Sequence, residues 1–329
     1  MTIAVAQGPV GAKSVSIVVP VYNEEAAIRP FVEAVEAALA SLPQWVSYKI
    51  VFVNDGSTDA TEIVIQALAA QNDAVEFINL SRNFGKEAAL AAAVGIVPGD
   101  AIIPIDVDLQ DPPELIPQMI ERWIAGAKIV NARRINRRED GWVKRRSASA
   151  FYRVFNIIAE RPIPENVGDF RLMDRAIVDV VRQLGERARF NKALFNWVGY
   201  EADEVTFERP SRETGRSRWS YWKLWNLALD GIFSSTTAPL RIWTYVGLGM
   251  AVFSVAYAAF IFFTTLVGGR DTPGYASTVI LILTFGGLNM IALGILGEYI
   301  GRIYNEVRQR PLYVVRSVSQ ALEEETDGS

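Results

Sequence analysis

The sequence predicts an α/β domain built on a Rossmann-like parallel sheet, followed by a C-terminal two-helix transmembrane hairpin. Three observations predict it. Units of strand, polar turn and helix recur through the first part of the chain, the pattern of a parallel sheet with crossover helices. Polar residues gather at the carboxyl ends of those strands, where such sheets hold ligands. Two uncharged apolar runs, Ile242 to about Val267 and Ala276 to about Leu296, each exceed the roughly 20 residues needed to span a bilayer.

The elements follow in order. Residues 1–13 form a flexible arm. Ser14 to Val21 reads as a buried strand ending in Tyr22-Asn23-Glu24-Glu25, and an Ala-rich helix follows to about Leu42. Tyr48 to Val53 is a second strand, ending in Asn54-Asp55-Gly56-Ser57-Thr58-Asp59. Ser57 or Thr58 is positioned to cap the next helix. Val75 to Leu80 is a third strand before Ser81-Arg82-Asn83-Phe84-Gly85-Lys86-Glu87. Ala101 to Ile105 is a fourth, although Pro104 sits poorly in a strand, and Lys128 to Ala132 is a fifth. The fourth strand leads into Asp106-Val107-Asp108-Leu109-Gln110-Asp111-Pro112-Pro113-Glu114. Side chains alternate along a strand, so Asp106 and Asp108 share a face. Two carboxylates and a nearby amide suit Mg²⁺ or Mn²⁺, which take oxygen ligands and share them with phosphates. The competing reading is a solvated acidic turn.

Composition narrows the chemistry. The 329 residues include no Cys and no His, which excludes disulfides, thiolate or imidazole zinc sites and any His base or Cys nucleophile. A net charge of −4 gives no basic field for nucleic acid. Neither a G-x-G-x-x-G turn nor a Walker loop is present, so dinucleotide oxidoreductases and P-loop NTPases are unsupported. No basic region followed by an apolar segment opens the sequence, so no signal peptide is expected.

The runs Val18-Val19-Pro20-Val21-Tyr22-Asn23-Glu24-Glu25, Val53 to Asp59 and Asp106 to Glu114 together resemble the family 2 glycosyltransferases. With Ser81 to Glu87, they resemble the polyprenyl-phosphate group, which includes dolichyl-phosphate mannose synthase and bacterial bactoprenol glucosyltransferases. The resemblance covers nearly the whole chain. It implies a GT-A catalytic domain over 14–215 that uses a nucleotide sugar and a divalent cation. By position it implies that Pro20, Tyr22, Asn23, Glu24, Asp55, Gly56, Arg82, Lys86, Asp106, Val107 and Asp169 bind the nucleotide sugar. Asp106, Asp108 and Gln110 would hold the metal. Asp55 would accept a hydrogen from the base, and a carboxylate that only accepts suits an imino N–H. For Asp169, a contact with sugar hydroxyls competes with an ion pair to Arg171.

Arg133 to Arg138 and Lys144-Arg145-Arg146 form a dense cationic stretch. Solvated charge, attraction to anionic lipid and binding of an acceptor phosphate all compete here. A mixture is favoured: Arg133 or Arg134 faces inward as a catalytic residue, with the rest toward lipid. The resemblance places Lys144, Arg145 and Ser147 at the acceptor phosphate. It adds Arg212 and Arg218 from Glu208 to Trp219, a loop resembling one that closes over the site. Residues 149–158 are amphipathic, read either as a core helix or as one lying in the membrane interface.

Residues 216–241 form a juxtamembrane segment whose Trp219, Tyr221, Trp222 and Trp225 favour the lipid boundary. The hairpin occupies 242–304, and 305–329 is a cytoplasmic tail with a disordered acidic end, Glu323 to Asp327. Lys and Arg flank the spans, with only Arg270 in the turn, so both termini and the catalytic domain face the cytoplasm of an inner or plasma membrane. The expected enzyme is an inverting hexosyltransferase, with UDP-glucose the first donor and undecaprenyl-type polyprenyl phosphate the acceptor. Related enzymes add the expectation of a homo-oligomer. A GDP-mannose-dependent mannose synthase and a processive polysaccharide synthase are the alternatives.

Overall fold

The structure is a computed structural model and describes residues 11–135, 167–184, 194–195, 197–208, 238–268 and 274–327. Two compact units emerge. One contains the N-terminal sheet together with residues 311–329; the other is the helical hairpin.

The first unit carries an eight-stranded sheet in the order β7-β5-β6-β4-β1-β2-β3-β8. Its strands are β1 Lys13–Val21, β2 Val46–Asn54, β3 Val75–Leu80, β4 Ala101–Pro104, β5 Ile129–Arg134, β6 Val167–Asp174, β7 Ala202–Phe207 and β8 Val315–Val318. β4, β1, β2 and β3 are mutually parallel, so their carboxyl ends share one edge. The expectation of a parallel sheet is corrected: the sheet is mixed. β6 runs antiparallel between β4 and β5, and β8 runs antiparallel on β3. β6 escaped the sequence pattern because Asp169 and Arg171 interrupt its apolar run.

Pro104 fits because of where β6 stops. Ile105 N–H donates to Val18 O on the β1 side, so the Pro104 nitrogen faces β6. There pairing extends only over Ala101 and Ile102, and no donor is missed.

Helices cover the sheet. α1 (Ile28–Leu39) buries Ile28, Phe31, Val32, Val35 and Leu39, the i, i+3, i+4, i+7 stripe of a core-facing helix. Ala60, the residue before α2 (Thr61–Ala69), supplies no side-chain cap, and Thr61 N–H donates instead to Asp59 Oδ1 at 3.0 Å, which corrects the expected role of Ser57 or Thr58. α3 (Lys86–Ile96) buries every residue from Ala88 to Val94, because the sheet and further elements enclose it. α4 is Ile116–Ile124, and α5 is Arg175–Gln183, capped by Asp174, whose carboxylate accepts from Ala176 N–H at 3.1 Å.

The C-terminal segment does not trail away. β8 joins the sheet, α8 (Gln320–Asp327) follows, and Leu322 is fully buried among α3 and sheet residues. The acidic end expected to be disordered is therefore helical.

The second unit pairs α6 (Ala238–Gly268) with α7 (Tyr275–Val307). Within α6, Ile242–Val267 is long and apolar enough to cross a membrane. Its large side chains, Phe253, Phe260, Phe262 and Phe263 among them, are exposed. The turn residues 269–273, the juxtamembrane aromatics and the amphipathic stretch 149–158 lie outside the described residues.

Candidate active site

The shared carboxyl edge of β4, β1, β2 and β3 collects most of the sequence-predicted residues. Two adjacent turns are laced together there. Asn23 N–H donates to Ser57 Oγ at 3.0 Å, and Asn23 Oδ1 accepts from Thr58 N–H at 2.8 Å. Glu24 N–H donates to Thr61 Oγ1 at 2.9 Å, and Ala60 N–H donates to the Glu25 carboxylate at 2.9 Å. Asn23 holds a left-handed backbone with φ of 55°, a conformation that Asn tolerates when local hydrogen bonds support it. Pro20 is half-buried just before this turn, and Tyr22 is exposed.

Asp55 is 3% exposed. Its two oxygens accept from Phe84 N–H and Gly85 N–H, each at 2.8 Å. The carboxylate thus anchors the turn after β3, a role that the sequence reading missed, and each oxygen keeps a second lone pair for a ligand. Gly56 makes this approach possible. Its φ is 67°, and a Cβ there would stand 2.3 Å from the Arg82 carbonyl carbon. The Arg82 guanidinium lies over the Phe84 ring at 3.9 Å.

Beyond β4 the alternation continues. Ile105 and Val107 are buried, while Asp106 is half-exposed and Asp108 exposed. Gln110 N–H donates to Asp108 Oδ1 at 3.2 Å, and Leu109 sits at φ 54°. Burial first, then the charges of Asp108, Asp59 and Asp106, raises the Glu24 carboxyl above its usual range. Four carboxylates therefore crowd this edge.

Lys86, opening α3, answers one of them, Asp106, and reaches Asp169 as well: its Nζ lies 2.6 Å from Asp106 Oδ1 and 2.9 Å from Asp169 Oδ2. Burial works against the ammonium, but Asp169 and Asp106 outweigh it and hold Lys86 charged above the usual lysine range. Of the two readings of Asp169, neither anticipated Lys86 as its partner. Arg171 lies nearby, almost fully buried. It donates to Gly168 O at 2.8 Å and stacks over Phe195, and burial pushes its guanidinium down to about 10 while Asp169 pulls the other way.

The two candidate arginines separate. Arg133 is exposed and pairs with Glu204 on β7 at 2.9 Å, whereas Arg134 is half-buried with Nε enclosed. Arg134 is the inward one. Lys144, Arg145, Ser147, Arg212 and Arg218 lie outside the described residues.

The donor set suits a hard divalent cation: every candidate ligand is an oxygen, and the carboxylates carry excess negative charge. Among the described residues, no three acidic or imidazole groups close around an ion by themselves. A cation held by Asp106, Asp108 and Gln110 would take its other ligands from phosphate or water, the usual habit of Mg²⁺.

Residues 16–182 match the family model described as glycosyl transferase family 2. This chain belongs to that family. Its sheet is the Rossmann-like mixed sheet of the GT-A type. Residues 238–303 match a second model, the GtrB C-terminal hairpin. Among relatives, this family 2 glycosyltransferase is 50% identical over 302 residues to the SfII prophage-derived bactoprenol glucosyl transferase of Shigella flexneri, covering 92% of this chain and 97% of the relative. It is 48% identical over 308 residues to the prophage bactoprenol glucosyl transferase homolog of Escherichia coli K12, covering 93% and 99%. It is also 48% identical over 300 residues to an uncharacterized glycosyltransferase of Synechocystis, covering 91% and 94%.

Proposed function

We propose that this chain is a membrane-anchored, inverting glucosyltransferase that moves glucose from UDP-glucose to a polyprenyl phosphate of the bactoprenol type. One observation carries the reading. Half-identity to a bactoprenol glucosyl transferase extends over 302 residues, enough to include both the catalytic unit and the hairpin.

The chemistry of the site supports it. Tyr22 offers an open ring to a base, and Asp55 has lone pairs left for a base N–H. The backbone of the Asn23 and Ser57 turns and the Arg82 side chain face the nucleotide, with Lys86 and Asp169 toward the sugar. Asp106, Asp108 and Gln110 would hold Mg²⁺ or Mn²⁺ on the diphosphate. Bound there, a divalent cation supplies Lewis-acid stabilisation of charge on the leaving group. Arg134 lies at the end of β5, suited to the same negative charge.

The lack of His fits this acceptor. A sugar hydroxyl must lose a proton as it attacks, which calls for a positioned base. A phosphate monoester, with a second pKa of about 6, is already largely dianionic at neutral pH. It needs orientation and charge shielding, roles assigned here to Lys144, Arg145, Ser147, Arg212 and Arg218. Attack in line on an α-linked donor passes through an oxocarbenium-like state and yields a β-linked lipid product. α6 and α7 would form two spans. The Lys and Arg residues flanking them support cytoplasmic placement of the catalytic unit and both termini.

The test is a panel of UDP-glucose, UDP-N-acetylglucosamine and GDP-mannose offered to purified full-length protein with polyprenyl phosphate and Mg²⁺ or Mn²⁺. Glucose should enter the organic phase as a β-linked monosaccharide. Absence of lipid-linked product from every donor, or a long water-soluble polymer, overturns the reading.

A further inference from the structure

The chain returns from the hairpin into the catalytic sheet, and what it brings there is polar. β8 pairs with β3 so that Ser317 lies opposite Asn79. Asn79 in turn lies opposite Asn54 on β2. Asn54 is 0% exposed and Asn79 is 1% exposed, on the sheet face otherwise lined by Ile50, Phe52 and Phe77.

These side chains form one directed line. Ser57 N–H donates to Asn54 Oδ1 at 3.0 Å. A backbone N–H only donates, so the Asn54 amide must present its oxygen to Ser57 and its NH₂ to β3. Asn54 Nδ2 then donates to Asn79 Oδ1 at 3.0 Å, which turns the Asn79 NH₂ toward β8. Asn79 Nδ2 donates to Ser317 Oγ at 3.1 Å. At the other end, Ser57 Oγ accepts from Asn23 N–H at 3.0 Å and so helps hold the left-handed Asn23. The polarity admits one arrangement, and it needs an acceptor at position 317.

The β8 ladder itself does not need that hydroxyl. Val318 and Val315 give the strand its apolar contacts, Leu322 is buried in the core, and Arg316 pairs with Glu62. Tyr313 lies so close to α3 that a Cβ on Gly95 would stand 2.7 Å from its hydroxyl. A buried amide pair is tolerated only when every donor and acceptor is matched, and it then fixes geometry more sharply than apolar packing does.

We propose that Asn79 and Ser317 are positioning residues for the nucleotide-binding turn, so that the strand following the hairpin is part of the donor site. The proposal rests on the reading of the Asn23 and Ser57 turns as the nucleotide pocket. Through Asn54, the return strand sets where the Ser57 and Thr58 amides point and keeps Asn23 in its left-handed state. Loss of the acceptor at 317 leaves a buried amide N–H without a partner and frees the Asn79 and Asn54 amides to rotate.

The test uses the full-length protein and its Ser317→Ala, Ser317→Thr and Leu322→Ala variants. Two quantities are read: amide hydrogen exchange across residues 54–60, and steady-state kinetics with UDP-glucose and polyprenyl phosphate. Ser317→Ala should speed exchange at Ser57 and Thr58 and raise the donor KM, each by about tenfold, with kcat and the acceptor KM unchanged. Ser317→Thr, which keeps the acceptor, should restore both. Leu322→Ala should lower the melting temperature without moving either quantity while the protein remains folded. Wild-type exchange and donor KM in Ser317→Ala, or the same pattern in Leu322→Ala, overturns the proposal. Absence of transfer by the wild type overturns the glucosyltransferase reading alone, because the exchange comparison still decides the relay.

Discussion

Replacing Asp55 with Asn tests how the turns at the carboxyl ends of β2 and β3 are held together. Asp55 accepts one backbone N–H on each oxygen, from Phe84 and Gly85 at 2.8 Å. Asn keeps one acceptor and turns an NH₂ against the other N–H. A hydrogen bond to a charged group is worth about 1.5–3 kcal/mol, and a stranded buried donor costs roughly 1–3 more. Residues 81–83 are exposed and 84–85 half-buried, so the turn can move and recover part of that by reaching water. A net loss of about 2–3 kcal/mol is expected, which for a domain of this size lowers Tm by roughly 5–10 °C. Thermal unfolding of the purified full chain measures it, and hydrogen exchange at Phe84 and Gly85 locates it. The donor KM should rise as well, since the displaced turn carries Arg82 and Lys86. An Asp55→Asn protein that melts with the wild type and exchanges Phe84 and Gly85 at the wild-type rate would refute the anchoring role.

Further perturbations have defined outcomes. Gly56→Ala places a methyl group 2.3 Å from the Arg82 carbonyl carbon at φ 67°; the backbone penalty alone is about 1–2 kcal/mol, and donor binding measured by calorimetry with UDP and Mn²⁺ should be lost. Lys86→Met leaves Asp106 and Asp169 without their shared cation and should lower kcat/KM for the donor by at least about tenfold, since charged hydrogen bonds are worth about 1.5–3 kcal/mol each; Lys86→Arg should retain more activity than Lys86→Met. Burial acts to raise the Asp174 carboxyl, but hydrogen bonds from Trp123 and Lys128 outweigh it and lower it below its ordinary 3.8. Its contribution to stability is therefore complete above pH 3.8 and fades as pH falls through the lower folded value. Asp174→Asn should be less stable than the wild type at neutral pH and should lose less on acidification, as read by unfolding curves across that range.

Much of this architecture was legible because apolar runs end in polar turns. β1 to β5 each carry such a run, and Asn23, Asp55, Lys86 and Asp106 mark their ends. The uncharged lengths of α6 and α7 were equally plain. What stayed hidden depends on pairing across long separations. β6 contains Asp169 and Arg171, whose burial makes sense only once Lys86 and Phe195 are beside them. β8 is four residues long and half polar, so nothing local marks it as a strand; its partner Asn79 sits far away in sequence. Ser57 and Thr58 looked like helix caps by type, yet their hydroxyls are engaged by Asn23 on the neighbouring turn. Arg133 and Arg134 could not be told apart until β7 supplied Glu204 to the first of them.

The proposed transfer requires the paired acids after β4 to hold a divalent cation against the diphosphate of the donor. Electron paramagnetic resonance of Mn²⁺ with the purified full chain and UDP tests it directly. A protein-bound Mn²⁺ signal carrying coupling to the diphosphate phosphorus is expected in the wild type and should be absent from an Asp106→Asn, Asp108→Asn double variant that melts as a folded protein. An unchanged phosphorus-coupled signal in that double variant would contradict it.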